Sequence, residues 1–168
     1  HDGDRQAFLC ELRVTYADGT TEVIGTDSTW DVTEDGNYRM ADLYDGETYD
    51  ATIDLNRVTW RKAAKETLRI SPKLLADYGN PVQEHEVFTP ISCNTLSDGT
   101  LIYDFGQNFA GVVKLELNGK AGQVVTVRHA EILNPDGSLN VSFLRTAKAT
   151  ATYTCKDGTQ TYQPRLSY

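Results

Sequence analysis

What this sequence lacks narrows its function before any motif is considered. It has no surplus of basic residues: 16 Lys and Arg stand against 24 Asp and Glu, a formal net charge of −8. Nucleic acid and anionic membrane surfaces demand a basic patch, so neither is expected as a partner. No apolar run in the chain approaches the ~20 residues that a membrane-spanning helix needs. Cysteine is scarce and dispersed, at Cys10, Cys93 and Cys155. That spacing makes neither a disulfide framework nor a metal knuckle. Buried free thiols are the expectation, with one disulfide plus one free thiol as the alternative, and the thiol count leans towards a reducing cytoplasm.

The motifs of several enzyme classes are missing too. His1, His85 and His129 share no metal-ligand spacing. His85 is expected at the surface and His129 as a structural residue on a strand. The "HAE" at 129–131 is not followed by the Pro-Cys-x-x-Cys of a zinc deaminase. There is no G-x-S-x-G elbow and no G-x-x-x-x-G-K-[ST] loop, and "GQNFAG" lacks the lysine and helix of a phosphate site. The chain opens on His1-Asp2-Gly3 rather than on a basic, apolar leader, so it reads as an excised or processed piece of something longer.

What is present is turn chemistry. Asp-Gly occurs at 2–3, 18–19, 35–36, 45–46, 98–99, 136–137 and 157–158, and Asn-Gly at 118–119. These dipeptides supply the positive φ that two-residue type I′ hairpins need. Strand-like runs flank several of them. "FLCELRVTY" leads through Asp18-Gly19 into "TTEVIGT", and "ATATYTC" passes Asp157-Gly158 into "TQTYQP". Alternation on each side of Asn118-Gly119 predicts an antiparallel pair, with Val113, Leu115 and Leu117 sharing a core face with Val125 and Val127. In "LIYDFGQNFAGVV", Leu101, Tyr103 and Phe105 share one strand face, Gly106 allows a bend and Gly111 opens the next strand. The helix-like stretch is "WRKAAKETL" at 60–68, ended by Pro72. The predicted fold is all-β, an antiparallel, jelly-roll-like β-sandwich with at most one short helix. A join is expected near "YGNPVQEHEVFTP" at 78–90.

One acidic stretch, "DLYDGETYDAT" at 42–52, is dense enough to carry chemistry. On an extended segment Asp45 and Glu47 would share a face about 6.5 Å apart, from the ~3.3 Å rise per residue. That approaches the ~6.5–9.5 Å carboxylate separation of inverting glycosidases. Carboxylates so placed also hydrogen-bond sugar hydroxyls or hold calcium, and a solvated turn gives the same pattern. Trp30 and Trp60 are expected as core anchors, with stacking on a sugar as the alternative. Asn140-Val141-Ser142 fits a glycosylation acceptor in a secretory context.

Together these segments resemble a known family. "TDSTW", "ADLYDGETYDA" and "WRKA" are similar to the amino-terminal region of bacterial α-L-rhamnosidases. "LIYDFGQNFAGVVKLELNGKAGQVVTVRHAEILNPDGSL", "LRTAKATATYTC" and "YQPRLSY" resemble the β-sandwich that precedes the catalytic barrel in those enzymes. The resemblance implies two modules, a partial first sandwich over 1–89 and a second over 90–168. It also implies a partner, the (α/α)₆ barrel of the same parent chain, which carries the catalytic carboxylates, and a rhamnose-containing glycan or glycoside as possible ligand. No catalytic residue and no required cofactor are implied for this chain. The sugar-binding candidates are Tyr44, Asp45, Glu47 and Trp60. Calcium is possible, with Asp35 and Asn37 of "TEDGNY" as candidate ligands, while Thr52 stands where the family usually has arginine. The expected role is a non-catalytic accessory fragment, a scaffold for the barrel with weak carbohydrate affinity. The alternative is a structural or adhesion-type sandwich with no sugar affinity.

Overall fold

The computed structural model describes residues 7–67 and 79–166. Its strands in chain order are β1 (Glu11–Thr15), β2 (Thr21–Gly25), β3 (Asp31–Val32), β4 (Tyr38–Asp42), β5 (Gly46–Asp50) and β6 (Arg61–Lys62). There follow β7 (Ser92–Thr95), β8 (Leu101–Asp104), β9 (Leu115–Gly119), β10 (Val124–Arg128), β11 (Thr150–Thr154) and β12 (Gly158–Tyr162). The helical content among the described residues is one 3₁₀ turn, Ser142–Leu144. The fold is all-β. The helix expected over 60–68 is absent from its described part, because Arg61 and Lys62 pair with Val32 and Asp31 as strand. Pro72 lies outside the described residues.

The chain divides into two units, His1–Asp35 with Arg57–Gly79, and Gly36–Asn56 with Asn80–Tyr168. The first unit holds the β1–β2 hairpin and the short β3–β6 pair. The second holds a four-stranded sheet in the order β10-β11-β5-β4, together with the pairs β12-β9 and β7-β8. Most pairings are antiparallel, but β5 runs parallel to β11, with Glu47 opposite Ala151 and Tyr49 opposite Tyr153.

The Asp-Gly turns that close hairpins are not of the two-residue type. At Tyr16–Thr20 and Leu96–Thr100 the same five-residue geometry recurs. The first residue's N–H donates to the fifth residue's carbonyl, and the glycine N–H to the first residue's carbonyl. Asn134–Ser138 repeats it under the Leu133–Leu139 bridge. In each loop the glycine alone has positive φ (83°, 86° and 84°), which is a type I turn followed by a left-handed residue. The aspartate has no positive φ, and its carboxylate accepts the N–H two residues on, at Thr20, Thr100 and Ser138.

The pair expected across Asn118-Gly119 is not formed. Asn118 and Gly119 are the last residues of β9 and pair with Thr159 and Gly158 of β12. β10 pairs with β11 instead. The reversal lies at Lys120–Gln123, and neighbouring groups hold it to the β11–β12 link. Ala121 N–H donates to Asp157 Oδ1, Gly122 N–H to the Cys155 carbonyl and Cys155 N–H to the Gln123 carbonyl. Gly119 has no room for a side chain, since a Cβ there would sit 2.7 Å from Cys155 Cβ. The two chain reversals therefore run side by side and exchange strands between sheets, and the same holds across Asp157-Gly158. Alternation nonetheless places Leu115, Leu117, Val125 and Val127 as expected. All four pack on the core cluster of Ala151, Tyr153, Cys155 and Tyr162. Val113 precedes β9 and is not part of that cluster.

In β8 Leu101 and Tyr103 share one exposed face, as alternation requires, and Ile102 between them is buried. Other expectations are corrected. The next strand starts at Leu115, four residues beyond Gly111. All three thiols are free, but only Cys155 is buried: Cys10 is half-buried and Cys93 exposed. Trp30 and Trp60 are 39% and 47% exposed, so neither anchors a core. His85 is exposed and His129 is half-buried just past β10.

Candidate functional site

The side chains that converge in the second unit are tyrosines. Odd-numbered residues of β5 and β11 point into the core, which sets Tyr49 beside Tyr153 with ring centroids 5.8 Å apart and nearly parallel. Tyr162 of β12 stacks on Tyr153 at 4.3 Å. Tyr38 of β4 meets Tyr49 edge-on at 4.9 Å. Such pairs contribute about 0.5–1.5 kcal/mol each beyond the area they bury. The stack is pinned by polar partners. Tyr153 Oη donates to Gln160 Oε1 at 3.0 Å, and Gln160 in turn holds the backbone of Lys156 and Gly158.

Beneath the stack lies Glu47, with 0% of its surface exposed. Its Oε1 accepts Tyr162 Oη–H at 2.8 Å and its Oε2 accepts the Arg165 backbone N–H at 2.7 Å. The carboxylate thus fixes the end of β12 onto β5. Burial, and then the bond to Glu47, push the Tyr162 hydroxyl far above its ordinary value. Tyr153 is also raised, chiefly by burial. Tyr38 is raised by burial and partly restored by Arg165, whose guanidinium lies 5.8 Å from its ring centroid.

Over these rings opens a cleft of about 570 Å³. Tyr38, Tyr49, Lys156, Thr161 and Arg165 are among its walls, with Tyr153 and Tyr162 also in its lining. The sequence reading did not single these residues out. The available signal was the tyrosine at inward positions of "GETYD", "TATYT" and "GTQTY".

The residues that the sequence did single out are dispersed. Gly46 has φ +97°, and this left-handed residue breaks the extension that would have put Asp45 and Glu47 on one face. Only glycine fits, because a Cβ at 46 would lie 2.2 Å from the Thr150 carbonyl oxygen. Asp45 therefore turns outward and pairs with Lys148 Nζ at 2.7 Å, while Glu47 turns inward. The loop before it is fixed by Asp42 Oδ1, which accepts the Tyr44 and Asp45 N–H groups; these bonds hold the Asp42 carboxyl below its usual range. Tyr44 stands 74% exposed beside this ion pair. Trp60 belongs to the first unit.

The calcium candidates fall in different units, Asp35 in the first and Asn37 in the second. Asn37 Nδ2 donates to the Asp50 and Ile53 carbonyls, a structural bridge within the second unit. Asp35 lines a small cleft of about 140 Å³ with Glu34 and Arg61, which are ion-paired. Among the described residues no three His, Cys, Asp or Glu side chains gather as metal ligands.

Comparison with known proteins agrees over nearly the whole chain. Residues 1–89 match the family model of the α-L-rhamnosidase N-terminal domain, and residues 94–168 that of the bacterial α-L-rhamnosidase concanavalin-like domain. An α-L-rhamnosidase of Streptomyces avermitilis is 37% identical over 99% of this chain and 17% of its own length. One from Alteromonas sp. is 34% identical over 96% of this chain and 18% of its own. Among solved structures, the Streptomyces avermitilis α-L-rhamnosidase complexed with L-rhamnose superposes with a TM-score of 0.76 at 36% identity, covering 94% of this chain and 16% of that one. The Dictyoglumus thermophilum α-L-rhamnosidase gives 0.75 at 31% identity, covering 94% and 19%. The chain spans less than a fifth of the length of these relatives.

Proposed function

Because the chain belongs to the α-L-rhamnosidase family, we propose that it is a non-catalytic β-sandwich segment on which the catalytic barrel of a longer rhamnosidase is seated. The observation that carries this reading is the state of the acidic pair. A glycosidase needs two carboxyl groups flanking one scissile bond. Here Glu47 is enclosed with both oxygens occupied by protein donors, and Asp45 faces outward in an ion pair. The pair supports packing rather than bond cleavage.

A second feature suits a supporting role. Large apolar side chains stand exposed in both units, Phe8 and Leu9 in the first, and Val82, Val87, Ile91 and Phe143 in the second. Burying such side chains against further protein would be favourable. The test compares the parent enzyme with and without this segment, and the segment alone, on p-nitrophenyl α-L-rhamnoside. The segment alone is expected to release nothing above buffer, and the truncated parent to lose thermal stability. Turnover by the 168-residue chain that Glu47→Gln abolishes would overturn the reading.

A further inference from the structure

We propose that a ledge formed by loops 42–46 and 142–149 of the second unit is the surface on which the parent's catalytic barrel sits, with Arg145 opposite an acidic group of that barrel. This rests on the scaffold reading above and deepens it, naming the contact and the chemistry of the partner.

The two loops form one piece. Lys148 N–H and Ala149 N–H both donate to the Tyr44 carbonyl, and Thr150 N–H donates to that of Asp45. Lys148 Nζ closes the same junction on Asp45 Oδ2 at 2.7 Å. Gly46 approaches Thr150 too closely for any Cβ. On this fixed base Leu43, Tyr44 and Phe143 are 70%, 74% and 68% exposed. Covering three such side chains is favourable, since it removes apolar surface from water. An ordered base also loses little freedom when it docks.

Charge gives the sign of the partner. Lys148 is countered by Asp45. Arg145 is exposed, and among the described residues its guanidinium has no hydrogen-bond or ion-pair partner. A guanidinium taken into a dry contact needs acceptors, and a carboxylate supplies two in parallel. Tyrosine, phenylalanine and arginine are also the residues enriched where protein interfaces carry their energy.

The backbone singles out the same loop. Among the described residues Arg145 (φ 55°, ψ −108°) and Ala149 (φ 41°) are the two non-glycine residues with positive φ. Residues with a Cβ are strained there, and such strain collects where function holds a residue in one conformation. The other exposed apolar residues of this unit suit docking less. Val82 and Val87 lie in a stretch, 80–90, that forms neither strand nor helix. As for the occupant, the relatives carry more than four-fifths of their length outside the matched segment. A partner on the same polypeptide is held at high effective concentration, so a contact of modest area suffices.

Hydroxyl-radical footprinting of the full-length parent and of the 168-residue chain reads the cover directly, because exposed aromatic rings oxidise readily. Tyr44 and Phe143 should be modified several-fold less in the parent than in the segment alone. Arg145→Glu and Arg145→Ala in the parent read the partner's charge, through the half-life of activity at one elevated temperature. Arg145→Glu should shorten that half-life roughly tenfold, the factor that one good interface contact carries, and Arg145→Ala should shorten it less. In the 168-residue chain both should leave the urea midpoint unchanged, since the side chain is exposed there. Equal modification of Tyr44 and Phe143 in the two proteins overturns the proposal. So does an unchanged half-life in Arg145→Glu, a kcat lost at unchanged half-life, or a midpoint lowered in the segment alone. A parent that lacks the segment yet stays as stable as the whole removes the scaffold reading and this surface with it. Destabilisation by that truncation, with Tyr44 and Phe143 unprotected, leaves the scaffold reading in place and removes this surface only.

Discussion

Replacing Glu47 tests how the second unit is held together. The side chain is fully buried and bridges β5 to groups 115 and 118 residues away in sequence. In Glu47→Ala, Tyr162 Oη and the Arg165 N–H both lose their acceptor within the protein. A buried donor left unpaired costs about 1–3 kcal/mol, so two cost roughly 2–6 kcal/mol, a large part of the ~5–15 kcal/mol that holds an ordinary domain. Glu47→Gln retains one acceptor oxygen. Its amide nitrogen can donate to the tyrosine oxygen if that hydroxyl rotates away. The expected cost is then about half that of alanine. Urea unfolding followed by intrinsic fluorescence reads both, with m unchanged if only the native state has altered. Glu47→Ala within ~0.5 kcal/mol of the parent, the range of an ordinary surface change, would refute the reasoning. Equal costs for Gln and Ala would refute the acceptor argument in particular.

Three further outcomes follow from local geometry. Gly46→Ala should lower the urea midpoint well beyond Gly19→Ala, because its Cβ meets the Thr150 carbonyl at 2.2 Å whereas nothing lies within 4 Å at Gly19; the latter costs only the left-handed strain of about 1–2 kcal/mol, and equal midpoints would show that the close approach is not real. Tyr38, Tyr153 and Tyr162 have folded values raised chiefly by burial, so their contribution is intact below the ordinary value near 10 and is lost as pH rises past it. Phenolate absorbance should show tyrosines ionising late and together with unfolding, and a titration with every tyrosine near 10 would contradict this. Burial lowers His129, whose Nε2 lacks a hydrogen-bond partner; its contribution is therefore full above ~6.5 and is lost as pH falls. Urea midpoints should drop on acidification, and His129→Leu should flatten that drop; a variant with the parent's full pH dependence would disprove it.

Much of the strand pattern was legible because alternation is local. The inward sides of 115–117 and 125–127 could be read from residue order alone. Partner choice was not, because it depends on contacts far apart in sequence. Asn118-Gly119 looked like a hairpin tip until Asp157 and Cys155 claimed the amides of the next turn. The three Asp-Gly-Thr/Ser loops were recognisable as turns, but their type, with glycine alone at positive φ, was not. For the site the limits were sharper. Asp45 and Glu47 formed a plausible pair only while Gly46 was assumed extended, and a left-handed glycine sends the two carboxylates to opposite environments. The tyrosine cleft draws residues from four strands and the segment after β12, so no single window of sequence displays it.

The most direct test of the supporting role places Glu47→Ala in the full-length parent enzyme and measures melting temperature and kcat on p-nitrophenyl α-L-rhamnoside in the same preparation. A scaffold segment lowers the melting temperature while kcat per folded molecule stays within about twofold. An unchanged melting temperature with kcat reduced a hundredfold or more, the scale of a lost general acid or base, would place Glu47 in the chemistry and contradict the account.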